Sequence, residues 1–196
     1  MAMNPTDKTT FSSEVRKAVE VLRKGGVILY PTDTVWGLGC DATNPEAVRR
    51  LYEIKRCAPS KAALVLVDSE AALERWVKTV PEAAWMLIDV ADKPLTIIYD
   101  HPLGIAPALL ADDGSLGIRL TREPFSAALC RDLRRPIVST SANFSGESTP
   151  RSYADITDEL KSMVDYVVDF RREERNLPSP SGIIKVSDSG VIRIIR

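Results

Sequence analysis

GGVILYPTDTVWGLG, residues 25–39, decides how the rest of the chain is read. Residues 27–30 form a short apolar run between a glycine pair and a proline, the pattern of a buried strand. Past Pro31 the chain turns small and polar at once, through Thr32, Asp33 and Thr34 to Trp36, Gly37 and Gly39. A plain strand-to-helix connection needs a cap and at most one glycine, so this stretch carries more than packing requires. It is expected to form one wall of a small-molecule site.

Working outward, Phe11, Val15, Ala18, Val19 and Leu22 recur at helical spacing, with Ser12 or Ser13 at the start and Gly25-Gly26 at the end. Asn44-Pro45-Glu46 supplies a cap, an N1 proline and an early acid for a helix over 45–56. Strands are expected at 63–67, 95–99, 116–120, 136–140 and 166–170, with helices opening at Ser69, Pro81 and Pro124 and another over 153–163. A terminal hairpin pairs 183–187 with 191–195 across Asp188-Ser189-Gly190. Alternating strands and helices predict one α/β domain over 1–196, with a mixed, twisted sheet flanked by helices and no additional C-terminal domain. The charged stretch 171–180 reads as a linker inside that domain.

Composition narrows the function. The chain has 196 residues, with 26 Lys plus Arg against 27 Asp plus Glu, so a dedicated nucleic-acid coat is not expected. Cys40, Cys57 and Cys130 form no CxxC pair and read as reduced thiols of a cytoplasmic protein. The N-terminus lacks the apolar core of a signal peptide, and no apolar run nears the roughly 20 residues that span a bilayer, so no membrane association is expected. The single histidine, His101, lies in a turn-like segment, and no metal site is predicted. Chemistry must therefore rest on hydroxyls, cations, carboxylates and backbone amides.

Four segments share a strand end that becomes polar and small: 31–34, 115–119, 139–146 and 180–182. Ligands gather at such strand ends in α/β sheets, because amides and short side chains converge there. Ser139, Ser141 and Asn143 lie in the richest of them. Lys55, Arg56 and Lys61 also fit a helix end, where basic residues complement the dipole. Arg119 and Arg193 each sit inside an apolar strand and either face water or meet an anion in a cleft. No GxxxxGK[ST] or GxGxxG motif is present. The set suits a nucleotide whose phosphates must be neutralised, with catalysis by positioning and electrostatics.

In order, residues 30–39, Lys55-Arg-Cys-Ala-Pro-Ser-Lys61, Lys93-Pro-Leu-Thr96, Ser115-Leu-Gly-Ile-Arg119, residues 139–146 and Pro180-Ser181 resemble the YrdC family of threonylcarbamoyl-adenylate synthases. The resemblance implies a twisted α/β sheet with a large cleft. It also implies that L-threonine, bicarbonate or CO2 and ATP, with Mg2+, give threonylcarbamoyl-AMP and pyrophosphate. Partner proteins would then transfer the threonylcarbamoyl group to the adenosine beside the tRNA anticodon, so tRNA is met indirectly or weakly. By position, Thr32, Arg119 and Ser141 are implied at threonine, with Arg119 on its carboxylate and Lys55 and Arg119 the catalytic pair. Lys55, Arg56, Lys61, Ser115, Ser139, Asn143, Ser181 and Arg193 are implied at ATP. The chain departs from the family pattern at Cys57, Thr121 and Gly182, where arginine, proline and threonine are usual, and at Ala62-Ala63, one residue longer than usual.

Two other readings compete, and a third is more distant. One is a non-catalytic RNA-binding module, motivated by Arg49-Arg50, the arginines of 131–135 and Arg171-Arg172, although acids are interleaved with them. The other is a related carbamoyl-transfer domain, whose extra zinc-binding and acyl-phosphatase-like domains this chain has neither the length nor the cysteines to supply. A pentulose-phosphate synthase of similar fold would need an acidic metal cluster, which is not found in the sequence.

Overall fold

The computed structural model describes residues 5–58, 63–174 and 180–196. α1 (Pro5–Arg23) precedes β1 (Ile28–Tyr30) and β2 (Gly37–Gly39), then α2 (Pro45–Lys55), β3 (Leu64–Val67), α3 (Glu70–Trp76) and α4 (Glu82–Val90). β4 (Leu95–Tyr99), β5 (Leu116–Leu120), α5 (Pro124–Leu133) and β6 (Ile137–Ser141) follow. α6 (Asp158–Met163), β7 (Tyr166–Val167), β8 (Gly182–Val186) and β9 (Ile192–Ile194) complete the described elements. One mixed sheet runs in the order β7-β1-β2-β6-β3-β5-β4-β8-β9.

Strand register divides the core into two layers. Val65, Val67, Ile97, Ile118 and Val138 share one face of the sheet and pack under α2, α3 and α4. Ile28, Tyr30, Leu66 and Ile137 occupy the other face beneath α1 and α5. Phe11 pins those two helices together by meeting Phe125 edge-on at 5.7 Å and Phe170 at 5.5 Å. On this second face Leu66 pairs with Arg119 and Leu64 with Ser139, so the face continues past the two helices onto polar side chains.

The expected caps form. Asn44 Oδ1 accepts from the amides of Glu46 (3.0 Å) and Ala47 (3.1 Å) at the start of α2. The terminal hairpin takes the expected register, with Lys185 opposite Arg193. Three expectations need correction. α1 begins at Pro5, ahead of Ser12 and Ser13, because proline at a first helical position sacrifices no hydrogen bond. The expected helix over 153–163 is a 3-10 turn, Tyr153–Asp155, followed by α6, since Thr157 caps a new start by accepting from the Leu160 amide at 3.3 Å. β2 is a strand where only a connection was expected.

β2 exists because its glycines allow close approach. A Cβ on Gly39 would lie 2.7 Å from the Tyr30 ring and 2.8 Å from the Val138 carbonyl. A Cβ on Gly37 would lie 3.1 Å from the Thr140 carbonyl. The two glycines thus let β1, β2 and β6 close up at the strand end that carries Thr32.

Candidate active site

A cavity of about 280 Å³ opens on the second face, beyond the cover of α1 and α5. Thr32, Arg119, Ser139, Ser141 and Ser181 all line it, from segments spread over 150 residues of sequence. Thr32 Oγ1 donates to the Val35 carbonyl at 2.6 Å and accepts from the Thr34 amide at 3.1 Å, which folds the stretch after β1 back over the cavity. Ser139 and Ser141 stand two residues apart on β6 and so face the same way. Ser181 is buried at the head of β8 and shares a 2.9 Å hydrogen bond with Thr96 of β4.

Arg119 is the buried cation of the site, with 3 % of its side chain exposed. Its Nη2 lies 2.9 Å from Asp33 Oδ1, while its Nε is buried with no hydrogen-bond partner among the described residues. A buried guanidinium with an unsatisfied N–H is prepared to receive an anionic oxygen. Burial raises the Asp33 carboxyl above its ordinary range, an effect opposed by Arg119, then by a hydrogen bond from its own backbone amide, then by Arg171. Arg171 also donates to Glu123 at 3.0 Å and reaches the Thr32 carbonyl at 3.5 Å, tying the 31–34 turn to the start of α5.

Lys55 reaches the site through the loop after β6. Its ammonium donates to the carbonyls of Ser141 (2.7 Å) and Asn143 (2.8 Å), and burial lowers its pKa to about 8. Asn143 donates to the Phe144 and Glu147 carbonyls, both at 2.9 Å, and leaves its Oδ1 buried without a hydrogen-bond partner among the described residues. The last residue of α2 therefore fixes the loop that follows Ser141, although neither Lys55 nor Asn143 itself lines the cavity.

Other sequence candidates lie elsewhere. Ser115 is buried, but its hydroxyl donates to Asp113 at 2.5 Å and it does not line the cavity. Arg56 leaves α2 in a left-handed conformation, pairs with Glu159 and lies over the Phe144 ring at 4.1 Å, away from the cavity. Arg193 is exposed on β9 and also lies outside the lining. Lys61 falls outside the described residues. Thr121, where the YrdC pattern has proline, is buried, and its amide donates to the Val67 carbonyl at 2.9 Å.

Sequence reasoning missed two contributors. Arg196 lines the cavity and its guanidinium donates to the Ser181 carbonyl at 3.2 Å. The hairpin register carried the signal, since it sets residue 196 beside residue 182. The other is Asp33, which lies between Thr32 and Thr34 and which no sequence pattern marked as a site residue. It lines a second cavity of about 340 Å³, walled by Leu95, Ile97, Tyr99, Ile118 and Leu120. The Asp33–Arg119 ion pair therefore joins a residue of one cavity to a residue of the other.

Among the described residues no group of three His, Cys, Asp or Glu side chains could hold a metal, and no helix is long and apolar enough to cross a membrane. The three cysteines are free thiols. The arginine clusters are largely matched by acids: Arg49 with Glu53 (2.6 Å), Arg50 with Asp165 (2.5 Å), Arg135 with Asp41 (2.7 Å) and Arg172 with Asp169 (3.3 Å). His101 is exposed beside Asp188, 3.3 Å away.

Residues 20–196 match the family model for the Sua5, YciO and YrdC proteins, whose description reads "Telomere recombination". The chain belongs to this family. It is 35% identical over 179 residues to the threonylcarbamoyl-AMP synthase of Xanthomonas campestris pv. campestris (strain B100), covering 90% of this chain and 95% of that one. It is 35% identical over 181 residues to the synthase of the same name from Halorhodospira halophila (strain DSM 244 / SL1), covering 91% and 94%. Among solved structures it resembles P. abyssi Sua5 complexed with L-threonine, with a TM-score of 0.78 and 26% identity. That match covers 87% of this chain and 50% of that one, so the chain spans about half of the Sua5 protein. It also resembles E. coli YciO, with a TM-score of 0.79 and 26% identity, covering 93% and 87%. The family therefore shares this mixed sheet and its helical layers.

Proposed function

We propose that this chain joins L-threonine, bicarbonate (or CO2) and ATP into threonylcarbamoyl-AMP, releasing pyrophosphate, and water where bicarbonate is the carbon source, for the modification of the adenosine beside the tRNA anticodon. The observation that carries the reading is the convergence of Thr32, Arg119, Ser139, Ser141 and Ser181 on one cavity. The names of its relatives and the threonine bound to P. abyssi Sua5 support the same reading.

Arg119 receives the threonine carboxylate through its buried Nε, with Thr32 and Ser141 beside it. The amine, having lost a proton to solvent, adds to CO2 and gives a carbamate with release of a second proton to solvent, and enclosure in the cavity shields the carbamate from bulk water. A carbamate oxygen then attacks the α-phosphorus of ATP, and the bond to the pyrophosphate leaving group breaks. Lys55 and Arg196 offset the charge on the phosphates, Arg196 in place of Arg193 because it lines the cavity and Arg193 does not, and the loop at Ser139 and Asn143 supplies hydrogen-bonding groups between the substrates. The described donor set contains no protein cage for a metal, so an ion arriving on the nucleotide phosphates counts as part of the substrate and no step is assigned to it.

Pyrophosphate release from ATP, followed with and without L-threonine and bicarbonate, tests the reading. Release should require both. Equal release with serine, or with no amino acid, would remove the assignment. The RNA-module reading is not favoured, because the arginine clusters that motivated it are paired with acids.

A further inference from the structure

The Asp33–Arg119 pair presents two opposite charges at one point of the site. Arg119 lines the cavity beneath Thr32, and Asp33, 2.9 Å from it, lines the other one. Their 2.9 Å ion pair leaves both the Arg119 Nε and the Asp33 Oδ1 buried without a hydrogen-bond partner among the described residues. Asp33 keeps 16 % of its side chain exposed. Nearby Arg171 is engaged by Glu123, Glu174 and the Thr32 carbonyl.

A bound α-amino acid brings the complementary arrangement, a carboxylate and an ammonium on one carbon. Burying such a zwitterion is costly unless both charges are met. An arginine alone would accept any carboxylate of the right size. With Asp33 beside it, a hydroxy acid would place an unpaired negative charge against a second carboxylate. An amino alcohol would leave the Arg119 Nε unsatisfied.

Building on the proposed function, we infer that Asp33 is a specificity-determining residue: it receives the ammonium of the incoming amino acid while Arg119 holds the carboxylate. The pair thereby selects a zwitterion over acids and amines of the same shape. The inference concerns binding of the substrate and adds no proton transfer to the reaction.

Calorimetric titration of the full chain tests it, using L-threonine, 2,3-dihydroxybutanoate (the same molecule with hydroxyl for amine) and L-threoninol (which lacks the carboxylate). The wild type should prefer threonine over each analogue by about tenfold or more, the scale of one charge-assisted hydrogen bond. Asp33→Asn should weaken threonine by about tenfold, tighten dihydroxybutanoate and leave ATP affinity unchanged. Asp33→Glu should restore the preference in part. If Asp33→Asn weakens both acids equally, or keeps the preference, Asp33 only positions Arg119 and the inference falls while the proposed function stands. If the wild type binds no threonine, the proposed function itself fails and takes the inference with it.

A test on the unaltered protein guards against a variant that does not fold. Asp33 is faced by Arg119 and Arg171 and, across its cavity, by Asp92, Lys93, Arg122 and Glu123. With the dihydroxybutanoate affinity referred to its ionised fraction, the preference of the wild type for threonine over it should shrink as acidification protonates Asp33, whereas the threonine ammonium does not titrate there. A preference that stays flat down to the onset of unfolding overturns the inference.

Discussion

Lys55 gives the site a pH dependence whose sign differs between binding and folding. Burial lowers its pKa to about 8 from the ordinary lysine value of 10.5. Between those values the unfolded chain holds the extra proton, so this residue makes stability rise with pH across that window. Phosphate binding needs the charged form, so ATP affinity should fall as pH rises through about 8. Lys55→Met should weaken ATP and abolish the inflection, which titration at several pH values would reveal; an unchanged inflection would remove Lys55 from the phosphates. Arg119→Ala should raise the threonine concentration needed for half-maximal rate by about ten- to a hundredfold, the worth of a charge-assisted contact. Steady-state kinetics with threonine varied would check this, and an unchanged requirement would dismiss Arg119 from the carboxylate. Sequence could not separate Arg119 from Arg193, because both interrupt short apolar strands. Only the neighbours distinguish them: β5 lies inside the sheet beside Asp33, whereas β9 is its edge.

At the scale of elements, legibility followed locality. The Asn44 cap, the Pro45 start and the hairpin register depend on residues close in sequence, and each forms as expected. β2 was not legible, since Gly-Leu-Gly has no strand signal and is a strand only because Tyr30 and Val138 approach it. Gly39→Ala should therefore destabilise the fold by about 1–3 kcal/mol, the usual cost of overpacking. Asn44→Ala, losing two hydrogen bonds at a helix start, should cost about 1 kcal/mol. Thermal or urea melts would measure both. A Gly39→Ala variant as stable as the parent would mean that the strands can part without penalty.

For the whole molecule, the alternation of strands and helices announced α/β layers, but the strand order lies in long-range pairing that no local pattern encodes. β6 pairs with both β2 and β3, and β8 with β4, so polar strand ends far apart in sequence meet at one cavity. Their shared character was readable; their meeting place was not. The measurement that tests the account most directly is mass-spectrometric identification of the product from L-threonine, ¹³C-bicarbonate and ATP. The account predicts an adenylate whose mass includes both threonine and the labelled carbon, formed together with pyrophosphate and lost in Arg119→Ala at low threonine. ATP consumption without that labelled adenylate would contradict it.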